Sequence, residues 1–198
     1  MLAAPSVDLV TCGRTSRSII RKREPRPSVA GYAACVTAEG TATRSGPGEG
    51  ERLWFLGTLA TIKLPGEATD GRFSLVEFLF PQHASPPLHS HPQDESYFVL
   101  EGRLTIQAGD QRFELEAGGA AAVPIGVPHT FRVETATARV LVMSTPAGIE
   151  NMVRDGAVPA TAPTLPPPDA PRPAPDELSR IFEAHGQVNL GPPLEPAD

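Results

Sequence analysis

Cysteine is scarce in this 198-residue chain: Cys12 and Cys35 are the only two, and neither sits in a metal-ligand spacing. That excludes a disulfide-dense scaffold and a thiolate zinc site. The pair reads as free thiols in a reducing compartment, the cytoplasm, with a single disulfide as the alternative. No run of eighteen apolar residues occurs, so no segment has the length of a membrane-spanning helix. Positive charge is also short, 17 Lys and Arg against 23 Asp and Glu for a net charge of -6. The chain as a whole therefore lacks the basic footprint of nucleic-acid binders. No helix-turn-helix pattern is visible, and the glycine-rich stretch from Ser45 to Gly50 lacks the Gly-Lys-Ser/Thr ending of a phosphate loop. These absences leave a small molecule as the expected partner, with no nucleic acid and no membrane.

What is abundant is proline, 23 residues, and glycine, 18. Both punctuate short runs of β-forming residues, which points to a turn-rich all-β domain. Strands are expected near Arg52–Phe55, Leu59–Leu64, Phe73–Phe80, Ser96–Leu100, Arg103–Ala108, Gln111–Leu115, Ala120–Val123, His129–Val133 and Ala138–Ser144. Between them lie turn signals such as Pro65-Gly66, Asp70-Gly71, Gly109-Asp110 and Gly118-Gly119. Many short strands at such spacing suit an antiparallel sandwich or barrel, expected over residues 49–147.

The ends differ in character. Residues 12–26 carry six Arg or Lys against one acid, Glu24. Transit peptides begin in this way and secretory signals faintly share the pattern, but the following apolar stretch is broken, so residues 1–48 read as a flexible basic extension. Residues 1 to about 45 are expected to be dispensable for the fold; the alternative is a terminal strand near Tyr32–Val36 added to the barrel or to a dimer partner. After the strands, Ile149, Met152 and Val153 fall at helical spacing, giving a short helix over 148–156. Residues 157–175 hold eight prolines and read as an extended linker. A second helix with Leu178, Ile181 and Phe182 on one face opens the segment 176–198. The apolar stripes of both helices need a surface, either the outside of the barrel or the partner in a homodimer.

Chemistry concentrates in His89-Ser90-His91 and Glu95. Side chains alternate along a strand, so His89 and His91 share a face, and a short proline-containing bend can return Glu95 beside them. An antiparallel neighbour carrying His129 would complete three nitrogens and one carboxylate oxygen. Such a set suits one divalent transition metal, Fe, Ni, Cu, Co, Mn or Zn, better than Ca or Mg. His83 and His185 stand outside this register and read as surface or supporting histidines.

His89, His91, Glu95 and Gly102 match the first motif of the cupin superfamily, G-x5-H-x-H-x3,4-E-x6-G. Gly118, Pro124, Gly126 and His129 match the second, G-x5-P-x-G-x2-H-x3-N. His83 replaces the opening glycine and Val133 the closing asparagine. The chain resembles single-domain cupins, and the resemblance implies an antiparallel jelly-roll barrel with the metal inside its mouth. Alternation then turns Tyr97 and Val99 inward with Glu95, and Phe131 inward with His129, as lining for a flat or aromatic substrate. Within the superfamily the resemblance leans toward quercetin 2,3-dioxygenase-like oxidoreductases, implying dioxygen as co-substrate and Glu95 as both ligand and general base for a phenolic or enolic hydroxyl. A non-oxidative isomerase or cyclase, and a metal-containing binding protein without turnover, are the alternatives, because the same barrel hosts many functions.

Overall fold

The computed structural model describes residues 42–196; the expectations for the basic extension, Cys12, Cys35 and the segment Tyr32–Val36 lie outside them. Ten strands come first: β1 (Glu51–Phe55), β2 (Thr58–Leu64), β3 (Ser74–Pro81), β4 (Pro87–Ser90), β5 (Asp94–Glu101), β6 (Arg103–Ala108), β7 (Gln111–Glu116), β8 (Ala120–Val123), β9 (His129–Val133) and β10 (Thr137–Thr145). Helix α1 (Ile149–Gly156), β11 (Ala157–Pro159), α2 (Pro175–Ala184) and β12 (Val188–Pro193) follow. One sheet runs β11-β1-β2-β3-β10-β5-β8 and the other β12-β4-β9-β6-β7. Every pairing is antiparallel, and the two sheets form a jelly-roll-like sandwich.

Two-residue alternation builds the interior. In β3, Ser74, Val76, Phe78 and Phe80 are buried while the residues between them are not; in β5, Glu95, Tyr97 and Val99 are. Facing strands add Leu104, Ile106, Val133, Val140 and Val142 to one apolar core. The turn from β5 to β6 rests on Gly102, whose φ is +85° and where a Cβ would come 2.5 Å from the Thr137 carbonyl oxygen. No other residue fits there without backbone movement.

Two strands escape the sequence pattern. β11 begins the proline-rich stretch, pairing Ala157 with Phe55 and Pro159 with Leu53. β12 lies in the tail and pairs with β4 at an irregular register around Gly191. Both are edge strands, where proline is tolerated because one side of the ladder needs no donor, so proline content hid them.

The helices do not coat the outer wall of the barrel. Ile149 and Val153 of α1 and Phe182 of α2 join the barrel core and close one end of its cavity. The fully buried Glu150 fixes α1 by accepting hydrogen bonds from the Gly66 amide at 3.0 Å and the Gly148 amide at 2.8 Å. Phe182 is 7% exposed, and Phe182→Ala should lower unfolding free energy by about 3 kcal/mol, the usual cost of emptying a buried aromatic site. Urea unfolding measures it, and a change below about 1 kcal/mol would mean that α2 is not docked on the core.

Candidate metal centre

Three local arrangements bring the site together. β4 pairs with β9 so that His89 stands opposite His129, and His91 follows β4 by one residue. The loop before β9 is pinned to the start of β5 and to the loop before it: the Ile125 amide donates to Asp94 Oδ1 at 2.7 Å and the Gly126 amide to the His91 carbonyl at 3.2 Å. β5 then carries Glu95 inward. All four side chains are buried, with His129 at 2% exposure and none above 8%.

The imidazole centroids lie 4.4 Å apart for His89 and His129, 4.9 Å for His91 and His129, and 5.6 Å for His89 and His91. One nitrogen from each ring falls within 4.8 Å of the others, so the three could hold a metal ion. Glu95 Oε2 sits among them, 3.0 Å from His129 Nε2 and 3.3 Å from His91 Nε2, and accepts a hydrogen bond from the Tyr97 hydroxyl at 2.6 Å.

The backbone selects the nitrogen offered. His89 Nδ1 lies 2.7 Å from the Pro87 carbonyl and His129 Nδ1 lies 2.8 Å from the Val127 carbonyl. A carbonyl can only accept, so both Nδ1 atoms carry hydrogen; a neutral ring then has its lone pair on Nε2 to offer a metal, whereas a protonated His129 donates its Nε2–H to Glu95. Backbone orientation of this kind is a hallmark of metal-ligating histidine. His91 Nδ1 is buried without a hydrogen-bond partner. Converging nitrogens, an adjacent carboxylate and an orphan imidazole nitrogen fit a divalent transition metal.

Electrostatics agree with that donor set. Burial alone would raise the Glu95 carboxyl, but hydrogen bonds from His129 and His91 outweigh it and hold the group far below the usual carboxylate range. Burial works against a charged His129, yet its bond to Glu95 raises its pKa. His89 is pushed down to about 4, first by burial and then by the charge of His129, which keeps its ring neutral and able to ligate at neutral pH. Burial, and then the Glu95 charge, push the Tyr97 hydroxyl well above its ordinary value, so it stays a donor.

Above this cluster opens a cavity of about 540 Å³. His89, His91 and Glu95 reach it, and Tyr97 and Phe131 line it as alternation implies. Val99 does not: fully buried opposite Val140, it fills the core and is not a lining residue. Inward alternation places a side chain in the barrel interior, but only the part of the strand nearest the opening meets the cavity. Phe78 and Phe80 extend the aromatic wall, their rings stacked at 5.1 Å, and Phe131 meets Phe80 edge-on at 5.0 Å. Ile149, Met152 and Phe182 close it from the helices. These residues were missed because nothing in the sequence indicates which face of a remote helix meets which end of a barrel. Phe78 and Phe80, by contrast, share an alternating strand and could have been found.

His83 takes a positive φ of +64°, a conformation that favours glycine, the residue the family motif has at this position; histidine is among the non-glycine residues that tolerate it best. Its Nδ1 accepts a hydrogen bond from Arg132 Nη2 at 2.7 Å, and it sits on the cavity rim. His185 lies away from the cluster, 2.7 Å from Asp155, tying α2 to α1.

Comparison with known proteins falls on the same strands. The Cupin domain family matches residues 76–144. A quercetin 2,3-dioxygenase of Bacillus subtilis (strain 168) is 33% identical over 95 residues, 48% of this chain and 28% of that protein. An uncharacterized protein of Streptomyces coelicolor is 41% identical over 56 residues, 28% of this chain and 53% of its own length. The chain thus spans about half or less of these relatives. A cupin structure from Shewanella frigidimarina aligns at 18% identity and a TM-score of 0.48, covering 56% of this chain and 96% of that one. Among the described residues, no helix is long and apolar enough to cross a membrane. With the match spanning β3 to β10 and the histidine and glutamate positions of both motifs in place, residues 76–144 are a Cupin domain.

Proposed function

We propose that this cupin is a metal-dependent dioxygenase of a phenolic or enolic, flavonol-like small molecule, with His89, His91, Glu95 and His129 as metal ligands and Glu95 also as general base. The observation that carries this reading is the position of Glu95 Oε2. It touches His129, His91 and the Tyr97 hydroxyl at the base of an aromatic-walled cavity. A divalent transition metal bound there would supply a Lewis acid for the substrate oxygen and a meeting point for dioxygen.

The chain's own groups do the rest. Phe78, Phe80 and Phe131 offer flat apolar faces that orient an aromatic ring and exclude water. A substrate hydroxyl directed at the histidine cluster meets Glu95, which is ionised and can take its proton. Tyr97, held as a donor, fixes the carboxylate through its 2.6 Å bond. A second reading has support from the same contact: a base and a hydroxyl acid side by side can move a proton between substrate carbon and oxygen without oxygen, as an isomerase or cyclase requires.

Purified protein should contain a divalent transition metal by elemental analysis and consume dioxygen with a panel of flavonols and diketones. Turnover under nitrogen would select the isomerase or cyclase reading. No conversion of any panel member in air or nitrogen, with metal bound, would leave only the binding role.

A further inference from the structure

The cavity rim holds one charged group that the proposed chemistry leaves unused. Arg172 lines the opening on the segment Pro171-Arg172-Pro173. Its Nη2 packs 3.4 Å from where a Cβ on Gly57 would sit, and Gly57, in the turn between β1 and β2, has φ +88°. Glycine there leaves a flat surface for the guanidinium to lie against. The flanking prolines stiffen the backbone. The stretch leading to it is fastened to β1 by the pairing of β11, by the Ala160 amide donating to the Arg52 carbonyl at 3.0 Å, and by Trp54 Nε1 donating to the Thr164 carbonyl at 2.9 Å. Arg172 is therefore presented by an anchored support.

Among the described residues no carboxylate comes within ion-pair distance of Arg172. Of the described residues lining the cavity, Glu95 is the only acid and Arg172 the only Arg or Lys. Glu95 lies at the base and Arg172 at the rim, so an anion entering the opening meets a cation first. One guanidinium matches one carboxylate through its planar fork, whereas a phosphate dianion would favour a second cation.

We infer that Arg172 is a specificity-determining residue that binds the carboxylate of an aromatic or enolic hydroxy acid, whose hydroxyl end reaches Glu95 and the histidines. The inference rests on the reading of that site as the reacting end, and gives the substrate class a second, charged end.

Binding of a neutral flavonol and of its ring-carboxylated analogue to the metal-loaded protein, followed by flavonol fluorescence under nitrogen, tests it without turnover. Wild type should bind the carboxylate about five- to tenfold more tightly at low ionic strength, with the preference shrinking as salt rises. Arg172→Gln should abolish the preference while leaving affinity for the neutral flavonol within about twofold, and Arg172→Lys should keep part of it. No preference in wild type, a preference that survives in Arg172→Gln, or equal weakening of both probes would overturn the inference, the last by making Arg172 a packing residue. Tighter binding of a phosphate-ester analogue than of the carboxylate would overturn the choice of anion. The dioxygenase reading fails separately, through oxygen uptake.

Discussion

Replacing His129 or His89 by alanine should reduce bound divalent metal from one per chain to a small residue after dialysis. Each ring is buried and offers Nε2 because its Nδ1 is tied to a backbone carbonyl, and among the described residues the group holds no fourth histidine. Loss of one of three imidazoles leaves two nitrogens and a carboxylate, and the backbone-oriented part of the set is halved. Even loss of an orienting partner typically costs about 10- to 100-fold in metal affinity, and loss of a ligand should cost more. Elemental analysis of both variants against wild type measures this; stoichiometry unchanged in both would remove the site. Affinity should also depend on pH with a definite sign. Ligation requires neutral imidazole, and the bond to Glu95 raises the His129 pKa, so protons compete at His129 from above the ordinary histidine value of about 6.5 and affinity falls as pH drops through that range. His89, pushed down to about 4, adds no competition until the solution is far more acidic.

The contrast between what residue spacing revealed and what it hid has a physical cause. His89, His91, Glu95 and His129 were legible because strand alternation and turn glycines are local rules, and their spacing in two short segments implies the pairing of β4 with β9. The inward direction of Tyr97 and Phe131 followed from the same alternation. Val99 obeys it too, yet depth along the barrel, which alternation does not encode, puts it in solid core. The roof of the cavity was illegible for another reason. α1 follows β10 directly but shows no sign of which barrel end it meets, and α2 and the Arg172 segment reach the cavity across proline-rich chain whose path depends on tertiary anchors such as Trp54 to Thr164, more than a hundred residues apart in sequence. β12 likewise reads as tail because Gly191, Pro192 and Pro193 oppose strand propensity and only the open edge of β4 recruits them.

Glu95→Gln separates a ligand from a catalyst. Glutamine keeps an oxygen of similar reach, so metal should be partly retained, but an amide cannot accept the substrate proton. Turnover should fall on the order of 100-fold or more at equal metal loading, with the loss in kcat. The surroundings sharpen the contrast. Glu95 Oε2 receives contacts from His129, His91 and Tyr97, and an amide nitrogen in its place would bring hydrogens where the Tyr97 hydroxyl already donates. The substituted side chain therefore has to present its oxygen to Tyr97, which leaves the carbonyl near the histidines and the amide nitrogen turned away. A metal that serves the fold alone predicts the reverse balance, with little activity to lose and a melting temperature that follows metal occupancy. Oxygen consumption with a flavonol, measured for wild type and Glu95→Gln together with metal content, distinguishes the two. Equal rates at equal loading would exclude Glu95 as the base and leave Tyr97 as the remaining hydrogen-bonding group beside the cluster, its hydroxyl held protonated by burial and so unsuited to accepting a proton.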